Sequence, residues 1–210
     1  MKVEPISFER LVELVADRVV ELSVAGGRRV RVAVDGAPAA RPEELAEALV
    51  EPLRVRGRPV LRVPAGGFLR PASVRLEHGR RDPDAYFDSW LDDGALAREV
   101  LDPLEPGGSG RVLPSLWDPL TDRATRAPYT ELAPGGVVLV DGPLLLGRWL
   151  PWDLTVHLML SPAALARRTP ADQQWTLPAF ARYAAETDPA GEADLTVRCD
   201  DPRHPALVSR

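Results

Sequence analysis

Residues 36 to 43, G-A-P-A-A-R-P-E, lie between the apolar run VRVAVD and the helix-forming ELAEAL. A loop that cradles phosphates in that setting follows G-x-x-x-x-G-K-[ST]. Its glycines make the tight turn, its lysine reaches the β- and γ-phosphates, and its hydroxyl holds magnesium. Gly36 fits. Arg41 stands at the second glycine, Pro42 at the lysine and Glu43 at the hydroxyl residue. Pro42 removes a cation and a backbone N–H together. Glu43 puts a carboxylate where an anion would sit, and it can itself satisfy the positive end of the following helix. Arg41 is bulky where backbone must approach a ligand, although its guanidinium is a group that can meet a phosphate. The stretch predicts a good helix start and a poor phosphate cradle.

Composition limits what can compensate. Lysine and arginine total 26, yet Lys2 is the only lysine, so neither a Schiff base nor a phosphate-gripping ammonium is available away from the N-terminus. A net charge of -5 argues against nucleic-acid or anionic-membrane partners. One cysteine, Cys199, rules out an intrachain disulfide and a cysteine-rich zinc site. His78, His157 and His204 are far apart and show no metal-ligand spacing, so no metal site is predicted. They read as structural, as do Cys199 and the tryptophans at 90, 117, 149, 152 and 175. With neither a signal peptide nor a span of 18 apolar residues, the expected location is the cytoplasm.

The elements that must position this loop follow from periodicity. Residues 7 to 22 predict a helix capped by Ser7 and ended by Gly26 and Gly27. Strands are predicted at RRVRVAVDG, at 58–64, at 135–142, at 152–160 and in ADLTVRCD. Helices follow at Pro42 onward (with Pro52 interrupting or bending it), at Asp84–Leu91, at Asp93–Leu101, after the Ser161 cap, and in LPAFARYAAE. Five buried strands alternating with helices predict one α/β domain over 1–210 with a largely parallel sheet.

Several segments, taken in order, resemble the uridine kinase family, small P-loop kinases that phosphorylate nucleosides and related molecules from ATP. They are VRVAVDG at 30–36, RPVLRVPAGGFLRP at 58–71, VRLEHGRRDPDAYFDSWLD at 74–92, LDPLEPGGSGR at 101–111, and VVLVDGPLLL at 137–146 with WDLTVHL at 152–158. The resemblance covers about two thirds of the chain and implies a three-layer P-loop NTPase-like fold with a five-stranded sheet. It places the catalytic acid in a stretch like S-x-D-x-F, where this chain has Pro64 to Phe68. Phe68 remains on the substrate side, but Gly66 supplies no carboxylate. Asp141 matches an acidic residue near nucleotide and magnesium, and it is the one catalytic candidate; a strand-end cap is the competing reading. Gly36, Arg41, Arg167, Arg168 and Arg182 match or could replace cofactor-side positions, in a lid shortened to about 167–176. Arg80 and Arg81, which fit an anion site and a solvated charge run equally, join Tyr86 and Asp88 on the substrate side.

The implied function is a uridine-kinase-like protein impaired in phosphoryl transfer, with a nucleoside or small-molecule pocket. The alternatives are an active kinase with an unusual phosphate loop, the one case requiring ATP and magnesium, or an interaction scaffold. A protein partner or homo-oligomer is not readable from the sequence.

Overall fold

The computed structural model describes residues 2–23 and 27–209. In chain order, β1 (Lys2–Pro5) is followed by α1 (Phe8–Ser23), β2 (Val30–Gly36), α2 (Pro42–Val55) and β3 (Val60–Pro64). A central segment carries α3 (Ala72–Arg75), α4 (Pro83–Asp88), α5 (Asp93–Leu96) and a π-helical turn, Ala97–Leu101. Four two-residue strands come next: β4 (Arg111–Val112), β5 (Trp117–Asp118), β6 (Arg123–Ala124) and β7 (Thr130–Glu131). Then follow β8 (Val137–Gly142), β9 (Leu154–Met159), α6 (Pro162–Arg168), α7 (Leu177–Glu186), α8 (Pro189–Glu192), β10 (Leu195–Arg198) and β11 (Ala206–Ser209).

The main sheet has seven strands in the order β1-β11-β10-β9-β2-β8-β3. Its five parallel strands are those expected from the apolar runs, but the expected strand total was two short. β1 pairs antiparallel with β11, and β11 with β10, extending one edge. Pattern could not show β1, because all four of its residues are exposed and their side chains follow no apolar alternation. The helix ending expected at Gly26 lies outside the described residues, while Gly27 has the positive φ of 77° that glycine accepts readily.

Alternation along the buried strands divides the core. Val30, Val32 and Val34 of β2 join Val137 and Leu139 of β8 in one cluster with α1 and α2. Ala33, Val138 and Val140 join the other, with the π-helical turn, Phe180 and Tyr183. Helices therefore cover both faces, as a parallel sheet requires. Asp153 joins the N-terminal ends of β2 and β9. Its N–H donates to the Arg31 carbonyl at 2.9 Å, its carboxylate accepts from the Arg31 guanidinium at 3.0 Å and 3.1 Å, and Arg28 also pairs with it. Pro52 sits inside α2 without ending it, since the helix runs on to Val55.

β2 lies between β8 and β9; its own connection runs to β3 on one side, while the connection from the adjacent β8 runs to β9 on the other. The crevice at the C-terminal end of such a strand is where open α/β sheets bind ligands. Residues 36 to 43 begin there.

Candidate phosphate-loop site

Gly36 runs close against β9. A Cβ at this position would lie 3.1 Å from the Leu158 Cβ and 3.2 Å from the Leu158 carbonyl oxygen. Strand packing alone therefore favours glycine here. The chain then forms a 3-10 turn, Pro38–Ala40, and Arg41 takes a left-handed conformation, φ 59° and ψ 57°. That geometry costs a non-glycine residue on the order of 1 kcal/mol. The turn bonds to itself: the Ala40 N–H donates to the Ala37 carbonyl at 2.7 Å, the Arg41 N–H to Pro38 at 3.1 Å, and the Glu44 N–H to Arg41 at 3.1 Å. Pro38 and Pro42 have no N–H to give. Five of the eight positions from 37 to 44 thus offer no amide to an anion. The Arg41 guanidinium is exposed and held by Glu44 at 2.7 Å. Pro42 at the helix start, with Glu43 and Glu44 in the first turn, completes the N-terminus of α2 internally.

Asp141 ends β8 nearly buried, and Arg62 of the adjacent β3 grips it bidentately at 2.7 Å and 2.9 Å. The same guanidinium reaches Glu47 of α2 at 3.4 Å and also feels the charge of Glu43. These carboxylates, led by Asp141 accepting the Arg62 hydrogen bonds, hold the Arg62 pKa above its ordinary value against the opposing effect of burial. The acid matched to a magnesium position thus already has a cation, supplied by the protein. Gly66 lies in the turn Ala65–Phe68 with open space where a Cβ would project, so the missing carboxylate is not a steric exclusion. Phe68 is wholly buried in the core.

The side of the turn facing α4 and α7 is aromatic and narrow. A cavity of about 190 Å³ opens between Pro38 of the turn, Tyr86, Trp90, Trp175 and Phe180. Its rings meet largely edge-on, Tyr86 lying 5.1 Å from Trp90 and 5.6 Å from Trp175 between centroids. Burial, and secondarily the charge of Asp35, drives the Tyr86 phenol far above its ordinary pKa. Asp88, Asp84 and Glu186 surround Arg182 at 2.8 Å, 3.3 Å and 2.8 Å, and the guanidinium covers the Phe87 ring at 4.4 Å. Arg168 donates to the Cys199 carbonyl at 2.8 Å. Arg167, Arg80 and Arg81 are exposed and make no hydrogen bond or ion pair among the described residues, and Asp82 beside them caps α4. Between α6 and α7, where a shortened lid is expected from the sequence, lie Thr169, Pro170 and the turn Ala171–Thr176.

A second polar centre lies directly behind the loop. Asp35 is fully buried on the last turn of β2 that precedes Gly36. One carboxylate oxygen accepts the Leu145 N–H at 2.9 Å. The other meets His157 Nδ1 at 2.6 Å and accepts the Tyr183 hydroxyl at 3.1 Å. That hydroxyl in turn accepts the Leu146 N–H at 3.0 Å. Burial first, then Asp35, keeps Tyr183 protonated far above the ordinary phenol range. Among the described residues no group of three or more His, Cys, Asp or Glu is placed to hold a metal ion.

No family model matches the chain, and no curated protein matches it either. Solved structures do. A protein described as a possible uridine kinase from Bacillus stearothermophilus is 19% identical with a TM-score of 0.68, over 88% of this chain and 96% of that one. A protein of Silicibacter sp. TM1040, provisionally described as a fructose transport system kinase, is 27% identical with a TM-score of 0.63, over 88% and 98%. The YGR205w protein, 9% identical over 96% and 99%, aligns with a TM-score of 0.55. By fold, this chain is P-loop-kinase-like.

Within that P-loop-kinase-like frame, the residues singled out from sequence separate into groups. Gly36, Arg41, Pro42 and Glu43 form the turn at the end of β2, and Asp141 ends the neighbouring strand. Tyr86 joins Pro38 at the narrow cavity, whereas Asp88 pairs with Arg182 instead. Arg62, His157 and Tyr183 were not identified as site residues from the sequence. Asp35 had one legible signal, a carboxylate inside the otherwise continuous apolar run VRVAVD. Arg62 had none, because its importance comes from the register that sets Pro64 opposite Asp141.

Proposed function

We propose that this chain is a uridine-kinase-like protein that has lost ATP-dependent phosphoryl transfer and holds a small ligand on a kinase scaffold. It works as one α/β unit over residues 1–210 in the cytoplasm. The observation that carries this reading is the turn at 37–44, which spends three of its six amides on its own carbonyls and has prolines at two further positions. Phosphoryl transfer depends almost wholly on positioning and charge stabilisation. Losing one strong contact to developing charge costs about 3–4 kcal/mol of transition-state stabilisation. Here the lysine, the hydroxyl and the acid at 66 are all replaced, and Arg62 neutralises Asp141.

The fold likeness to kinases supports the scaffold half of the proposal, and the closed turn supports the loss. A transfer assay tests it. Labelled γ-phosphate of ATP is followed, with magnesium, onto uridine, cytidine and fructose. The expected result is no product above the protein-free control. Turnover near 1 s⁻¹, at the low end of about 1–100 s⁻¹ for working kinases, would refute the proposal.

A further inference from the structure

The largest cavity described meets the aromatic cleft only at Phe180. It measures about 600 Å³ and is walled by the end of β9, the segment into α6, and helices α6, α7 and α8. Leu158, Leu160, Leu165, Leu177, Pro178 and Phe180 make it mainly apolar. That volume falls within the range of about 300–1,000 Å³ typical of small-molecule sites. His157 lines it and is only 7% exposed.

The polarity of this wall is set from behind. His157 Nδ1 lies 2.6 Å from an Asp35 carboxylate oxygen; the tautomer that donates its Nδ1 proton to that oxygen leaves the other ring nitrogen, Nε2, as a lone-pair acceptor. Nε2 has no hydrogen-bond partner among the described residues. No arginine or lysine lines the cavity, while the Asp35 carboxylate lies behind the ring. An anionic ligand would therefore meet no lysine or arginine in the wall to neutralise it.

We infer that this cavity is a binding site for a neutral, largely apolar small molecule that donates a hydroxyl hydrogen bond to His157 Nε2. The inference does not rest on the reading of the phosphate loop. Phosphates and nucleotides are the wrong ligands for this cavity, because it lacks any cation to meet them. Tyr183 donates to the same Asp35 oxygen that meets His157, and the Leu145 N–H holds the other, so the carboxylate that orients the imidazole is fixed.

Three probes of one shape test it on the full chain: 2-naphthol, naphthalene and 2-naphthoate. Titrations are followed by the His157 Nε2 resonance in a long-range ¹H–¹⁵N spectrum. One hydrogen bond to a buried acceptor is worth about tenfold in affinity. The expected order is 2-naphthol about tenfold tighter than naphthalene, with 2-naphthoate weaker than 2-naphthol by at least as much, and the Nε2 resonance moving with 2-naphthol. Ala166→Phe fills the cavity from α6 while leaving His157 and its partners intact, and it should abolish 2-naphthol binding. The inference is overturned if 2-naphthol fails to bind at about 1 mM, if naphthalene or 2-naphthoate binds as tightly, or if Ala166→Phe binds 2-naphthol like the parent.

Discussion

At the scale of single residues, Arg62 matters more than any side chain of the loop itself. Its guanidinium satisfies both oxygens of a nearly buried Asp141 from the next strand. Arg62→Leu would leave that carboxylate without a partner, which for a partly shielded pair costs about 2 kcal/mol. Urea unfolding should show the loss, and adding Asp141→Leu should recover most of it, since two apolar side chains replace a pair without stranding a charge. Cys199 gives a second test. Burial pushes its thiol up to about 11, with Arg168 opposing and Asp200 assisting. The folded chain therefore keeps a proton that the unfolded chain releases near pH 8.5, so stability is full below that pH and falls as pH climbs towards about 11. The loss should reach about 2 kcal/mol, and Cys199→Ala should flatten it. Within the same window, iodoacetamide should label the parent thiol slowly until denaturant is added.

At the scale of elements, the turn between β2 and α2 shows what a sequence can and cannot convey. The residue types at Arg41, Pro42 and Glu43 were readable position by position, because a proline carries no N–H donor and the other two bring charges. The self-closing hydrogen bonds of Ala40 and Arg41 were not readable, since they depend on φ and ψ rather than residue type. The five parallel strands were legible as continuous apolar runs. β1 and β11 were not, because KVEP has no pattern of its own and pairs only once the chain's end lies beside it. The Asp35–His157–Tyr183 centre escaped for a related reason: three elements far apart in sequence bring it together. If residue types rather than backbone shape disable the loop, the triple variant Arg41→Gly, Pro42→Lys, Glu43→Ser should gain magnesium-dependent ATP binding over the parent by at least about tenfold. Equal, undetectable binding in both would place the fault in the turn's closure around Ala37 and Pro38 instead.

At the scale of the whole molecule, a parallel sheet with helices on both faces delivers β2 to a crevice suited to ligands, and the fold is P-loop-kinase-like. No helix among the described residues is long and apolar enough to cross a membrane. Two cavities flank the end of β2, about 190 Å³ among aromatic rings and about 600 Å³ between α6, α7 and α8, and Phe180 borders both. Neither is lined by an arginine or lysine, which is unusual for a site meant to hold a triphosphate and consistent with the closed turn. Calorimetric titration of the full chain with ATP, with and without magnesium, tests the central claim most directly. The account predicts no binding heat up to about 1 mM nucleotide in either condition, and magnesium-dependent binding with a Kd near or below about 10 µM would contradict it.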